Sequence, residues 1–226
     1  VVSHEDWLAA RRDLLQKEKE LTHLRDSVAS ERLALPWERI EKDYVFDTLD
    51  GPRSLAGLFE GRSQLVVQHF MFAPGWKEGC PSCSFMADHA DGMNLHLANH
   101  DVTMIAVSRA PLADIERYRK RMGWTFGWVS SFGSDFNYDF QVSFTPEEVA
   151  SGHIDYNFGG WNMTGEEWPG VSAFIKNEAG EVFRTYSTYG RGVEVMMGTY
   201  AMLDLTPKGR NEARGMDWVR RHDRYE

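Results

Sequence analysis

Leu65-Val66-Val67-Gln68-His69-Phe70-Met71-Phe72, a loop from Pro74 to Gly79, then Cys80-Pro81-Ser82-Cys83: this run decides how the chain reads. Its first part is apolar except at Gln68 and His69 and lacks the alternation of a strand wetted on one face. Such a run suits a strand buried on both faces, as in a parallel sheet. Beyond the cysteines, Met86, Ala90, Met93 and Leu97 share one face of a helix. Val102 to Val107 gives a second buried strand. Pro111 suits the first turn of the next helix and Gly123 its end, with Leu112, Ile115, Tyr118 and Met122 as the apolar stripe. Strand, helix, strand, helix over 65–122 is a βαβ pattern with right-handed crossover, so the fold class is α/β.

Upstream, residues 4–34 read as one amphipathic helix, with Trp7, Leu14, Leu21 and Val28 repeating every seven and Leu24 beside them. It packs either on its own domain or on that of a second copy, which makes a homodimer one arrangement to test. Pro36 interrupts it. Tyr44 to Leu49 reads as a strand and Asp50-Gly51-Pro52 as a turn. Downstream, 124–168 is crowded with aromatic residues, among them Trp124, Phe126, Trp128, Phe136, Phe140, Tyr156 and Trp161, and about 145–168 looks inserted. Val171 to Ile175 and Glu181 to Tyr186 form a hairpin, and a last amphipathic helix carries Val193, Met196, Met197, Tyr200 and Leu203. The expected division is an N-terminal helical arm over 1–39, a domain over 40–204, and a charged, poorly ordered tail over 205–226.

Of the 226 residues, 42% are hydrophobic and 26% charged, enough for an ordinary core. The net charge is −9, and the basic residues near the C-terminus alternate with acidic ones, which argues against nucleic acid. No apolar run approaches the length that spans a bilayer, and the N-terminal segment is charged rather than signal-like, so the expectation is a cytoplasmic protein. A secreted disulfide scaffold would carry more than the two cysteines present.

Thiol–disulfide exchange needs a thiolate that attacks and a second thiol that resolves the mixed disulfide. Cys80 at a helix cap would sit where free N–H groups and the helix dipole favour negative charge. Cys83, one turn in, would be the more buried, resolving thiol. Pro81 pre-sets the first turn and removes one N–H donor. His69, inside an apolar strand, either takes the resolving thiol's proton or is a core histidine bonded to backbone. Trp76 either shields the thiols, offers substrate an apolar platform, or only packs the loop. The expected substrate is a disulfide in a protein or a small molecule, with a separate electron donor and no metal or other cofactor. Two competing readings stay open. In one, the cysteines bind or deliver metal with histidines drawn from His69, His89, His96, His100 and His153, although two sulfurs fill only half of a closed zinc site. In the other, the fold is a scaffold and the aromatic insertion covers a binding surface.

The stretches Leu65 to Phe72 and Gly79-Cys80-Pro81-Ser82-Cys83-Ser84 resemble an uncharacterised bacterial family of thioredoxin-like proteins, described as predicted dithiol–disulfide oxidoreductases. Phe183 to Tyr189 and Trp218 to Tyr225 also look like it, so the resemblance covers nearly the whole chain. It implies a thioredoxin-like fold, a central mixed sheet flanked by helices, and a redox role. Pro169-Gly170-Val171-Ser172-Ala173-Phe174 is placed like the cis-proline and following strand of thioredoxins. In that reading its loop faces the cysteines; the alternative is an ordinary trans-proline opening a strand. The strand before Asp50-Gly51-Pro52 resembles the extended, peroxiredoxin-like branch. The peroxidatic signature, however, wants Thr or Ser where Lys77 stands, which argues against peroxidase activity. The copper-assembly branch is similar only in part, because it uses a wider cysteine spacing and a downstream histidine.

Overall fold

The computed structural model describes residues 1–159 and 165–226. It divides into two units, Val1–Trp37 and Glu38–Glu226. The first is the helix α1 (His4–Leu33), capped by the Ser3 side chain on the Asp6 N–H. No residue of α1 is buried, and Trp7, Leu14, Leu21 and Leu24 of the heptad stripe are exposed.

The second unit is built on six strands, β1 (Glu38–Arg39), β4 (Gln64–His69), β5 (Val102–Ser108), β6 (Gly127–Ser130), β7 (Gly170–Lys176) and β8 (Val182–Tyr189). Their order is β1-β8-β7-β4-β5-β6. β4, β5 and β6 run parallel, whereas β7 is antiparallel to both β4 and β8. A two-strand ribbon, β2 (Val45–Phe46) with β3 (Arg53–Ser54), stands apart from this sheet. The parallel strands are joined through α2 (Pro81–Ala87) with α3 (Ala90–Asn99), and through α4 (Leu112–Met122). Two short helices, α5 (Phe136–Asp139) and α6 (Pro146–Ala150), precede β7, and α7 (Gly198–Leu203) follows β8. A parallel βαβ half, a β-hairpin half and a closing helix make this a thioredoxin-like fold.

Successive residues of β4 and β5 serve opposite faces, as the strand period requires. Val66, Phe70, Met104 and Ala106 pack with residues of α2, α4 and α7, such as Met86, Ile115 and Tyr200. Leu65, Val67, Ile105 and Val107 pack instead with Phe46, Phe59, Phe136, Phe140 and Tyr156. The aromatic-rich stretch over 136–156, with Phe46 and Phe59 from upstream, is therefore the second cover that a sheet with parallel central strands needs, built mostly from irregular backbone. Within the aromatic-rich stretch 124–168, Phe136, Phe140, Phe144 and Tyr156 are buried; Phe158 is exposed, and Trp161 lies outside the described residues.

Three expectations change. The strand at Tyr44–Leu49 shrinks to Val45–Phe46, with Asp47 bridged to Ser130. The single helix after the cysteines is two, broken at Asp88 and His89. His89 Nδ1 engages the Phe85 carbonyl at 2.9 Å, and the His89 N–H turns to Met86 O instead of making the helical bond. The segment from 205 is not a loose tail. Val219 is buried, Trp218 packs on Phe85 and Tyr200, and Arg121 pairs with Asp223 at 2.7 Å.

Candidate active site

Cys80 is the N-cap residue of α2 and Pro81 its first residue, so the cysteine keeps an extended conformation while the helix begins. Its N–H donates to Met71 O at 3.1 Å, tying it to the chain just beyond β4. Its carbonyl accepts from the Ser84 N–H at 3.0 Å and the Ser84 hydroxyl at 2.8 Å. The backbone of Cys80 is thus held from both sides. Gly79 before it sits where a Cβ would come within 2.6 Å of the Phe70 ring and 2.9 Å of the Tyr118 ring. Only glycine fits there without displacing two core aromatics.

Both cysteines are free; Cys80 is half-buried and Cys83 is 1% exposed. The two thiols are pushed apart. The Cys83 thiol donates to the Cys80 sulfur, and the Ser82 and Cys83 N–H groups and the Ser82 hydroxyl add to this, pulling Cys80 down to about 6 against its burial. Giving that hydrogen bond, and being buried, push the Cys83 thiol well up.

Gln68 comes from β4 on this face. Its Nε2 donates to Cys83 O at 3.2 Å, while its buried Oε1 has no protein partner. His69 does not join it. Its Nε2 lies 2.8 Å from Ser172 Oγ, and its ring packs against both Phe136 and Phe140 on the other face of the sheet. Burial, followed by the nearby Arg184 charge, lowers its pKa to about 3, so it is neutral. The role of proton acceptor for Cys83 therefore does not fall to His69; one step along a strand reverses the face.

No described peptide bond is cis, so Pro169 is a trans-proline leading into β7. Tyr156 Oη donates to Pro169 O at 2.6 Å, and both Tyr156 and Glu167 interact electrostatically with Cys83. Glu167, 4% exposed, is paired with Arg109 and accepts the Ser143 hydroxyl at 3.0 Å. Trp76 stands 39% exposed on the loop before the cysteines.

Among the described residues no three His, Cys, Asp or Glu side chains converge as metal ligands. His89 is engaged with Phe85 and Thr199, and His96, His100 and His153 are on the surface. No helix of the described residues is long and apolar enough to cross a membrane.

The model of a bacterial protein family of unknown function, DUF899, matches residues 1–225. The chain belongs to that family. This agrees with the uncharacterised bacterial family that the cysteine stretch and the closing residues resemble. No curated protein matches the chain. Among solved structures it is similar to a cysteine-to-serine mutant of Xylella fastidiosa PrxQ, at 12% identity and a TM-score of 0.44, over 70% of this chain and 88% of that one. It is similar to the mitochondrial 2-Cys peroxiredoxin of Plasmodium falciparum at 12% identity and 0.42, over 79% and 98%. It is also similar to a secreted Mycobacterium tuberculosis disulfide oxidoreductase at 16% identity and 0.35, over 71% and 96%. At such identities and scores the likeness says nothing of substrate or reaction.

Sequence reasoning passed over Gln68, Ser84, Tyr118, Glu167 and Arg221 at this site. Gln68 carried a signal, as a polar residue in an otherwise apolar strand. The others sit at ordinary helical or loop positions and acquire meaning only from what the fold brings beside them.

Proposed function

We propose that the protein is a dithiol–disulfide oxidoreductase working through Cys80 and Cys83. The observation that carries this reading is the placement of the pair. Cys80 caps α2 half-buried, and Cys83 lies buried one turn further into the same helix. The Cys80 thiolate attacks one sulfur of a substrate disulfide, forming a mixed disulfide and expelling the other sulfur as a thiolate. Cys83 then gives up its proton and attacks Cys80 Sγ. An internal Cys80–Cys83 disulfide forms, and the second substrate sulfur leaves as a thiolate, to be protonated. Two electrons pass from the dithiol to the substrate, and a dithiol donor resets the pair. The substrate is a disulfide carried by a protein or a small molecule.

The test is trapping. Cys83→Ser should accumulate mixed disulfides, visible as mass adducts released by reductant, whereas Cys80→Ser should accumulate none. Equal trapping by both variants would overturn the assignment of roles. A parallel count of free thiols across thiol–disulfide buffers should show a reversible two-electron transition between about −270 and −120 mV.

A further inference from the structure

Arg221 has no part in the exchange steps and reaches the site from far along the chain. Its Nη2 and Nε donate to the Gly79 carbonyl at 2.6 and 3.1 Å. Nε also donates to Tyr118 Oη at 3.0 Å, and Nη1 pairs with Glu78 at 3.0 Å. The Tyr118 hydroxyl lies 2.9 Å from Ser84 Oγ, which donates to the carbonyl of Cys80. One guanidinium thus grips the peptide before Cys80 directly and the peptide after it through two hydroxyls. The side chain is 18% exposed, so these bonds are partly sheltered from water. The segment carrying it is anchored on either side, by buried Val219 and by Asp223 and His222, which bond to Arg121 and Asp88.

We propose that Arg221 is a positioning residue for Cys80: the C-terminal segment clamps the loop that presents the nucleophile. The inference rests on the nucleophilic role proposed for Cys80. With Gly79 O and Cys80 O both bonded, the backbone of Cys80 is held in place at the start of α2, where the Ser82 and Cys83 N–H groups favour its thiolate. The clamp works by geometry. A planar fork serves Gly79, Tyr118 and Glu78 together, which a lysine ammonium on a flexible stem does not.

The experiment measures alkylation of Cys80 by iodoacetamide against pH in the full chain, with mass spectrometry locating the adduct. In Arg221→Gln and in Arg221→Lys the titration midpoint should rise by about one unit. The rate then falls about tenfold at pH 5 and is nearly unchanged at about pH 9, where both forms are ionised. Arg224→Gln removes a charge from the same surface and should leave the midpoint in place. An Arg221→Gln midpoint equal to the parent's overturns the inference, even if thermal stability falls, because a merely structural role moves only the melting point. An Arg221→Lys variant that keeps the parent midpoint also overturns it, since charge alone would then suffice. Should the Arg221 variants fail to fold, Tyr118→Phe cuts the hydroxyl chain, and an unshifted midpoint there is equally fatal. A parent Cys80 that ionises like a free thiol would instead count against the proposed nucleophile, a separate outcome.

Discussion

Gln68 and His69 are neighbours on β4 and serve opposite faces of the sheet. The Gln68 amide donates to the Cys83 carbonyl, while the His69 ring bonds Ser172 among the aromatics of the other face. The polar pair that interrupts an apolar strand is therefore two separate devices. Only Gln68 belongs to the cysteines. Replacing it with Leu removes a buried donor and leaves the Cys83 carbonyl with its helical bond alone. The expected cost is about 1 to 2 kcal/mol in urea unfolding, with Cys80 still reactive. A neutral substitution would show that the bond contributes nothing.

His69 makes stability depend on acid. Its folded pKa of about 3 lies below the unfolded value near 6.5. Between these, the unfolded chain takes up a proton that the folded chain refuses, so stability rises with pH. The contribution is whole above about pH 6.5 and drains away as pH falls towards 3, amounting to roughly 3 kcal/mol by pH 4. Urea unfolding at pH 7 and pH 4 should show that extra loss in the parent and not in His69→Leu. An equal acid loss in both would place the sensitivity elsewhere.

The parts of the fold legible in sequence are those where burial writes a pattern. β4 and β5 carry apolar runs because both faces are covered, and α4 matches its stripe, with Pro111 before it and Gly123 closing it at φ 69°. The cysteine pair was legible because strand, short loop and helix fix where it must stand. The rest depends on distance in sequence. The aromatic cover has no period, since Phe136, Phe140 and Tyr156 sit on short helices and loops shaped by the sheet beneath. The last residues look like a charged tail because few of their apolar side chains, Met216, Trp218 and Val219 among them, reach the core, and the others dock through polar bonds. Arg221 finds its acceptor, Gly79 O, 142 positions away.

Gly79 allows a sharp steric test. Alanine there places a methyl 2.6 Å from Phe70 and 2.9 Å from Tyr118, closer than carbon atoms approach without displacement. Both rings belong to the buried core, so they cannot swing into water. Gly79→Ala should lose about 1 to 3 kcal/mol of stability. Because Tyr118 is also a link in the Arg221 chain, alkylation of Cys80 at pH 5 should slow as well. Unchanged stability and reactivity would mean that the loop yields freely and Cys80 is not held from this side.

Glu167 and Arg109 form a buried pair that joins the aromatic insertion to the end of β5, with side chains 2% and 14% exposed. Burial pushes the Glu167 carboxyl up, and Arg109 and the Ser143 hydroxyl oppose it. Removing one partner leaves a charge with poor access to water. Glu167→Gln should therefore cost about 3 kcal/mol or more, and Arg109→Met a comparable amount. The double variant Arg109→Met/Glu167→Leu should cost less than the two single changes added together, because neither charge is then stranded. A double-mutant cycle with additive losses would show no coupling. Glu167 also bears on the chemistry, since its charge is among the influences that hold the Cys83 proton. With glutamine in its place, Cys83 should become easier to alkylate in the reduced dithiol while Cys80 keeps its midpoint. If Cys83 stays inert, the hydrogen bond to Cys80 and its own burial suffice to keep it protonated, and Glu167 serves the insertion alone.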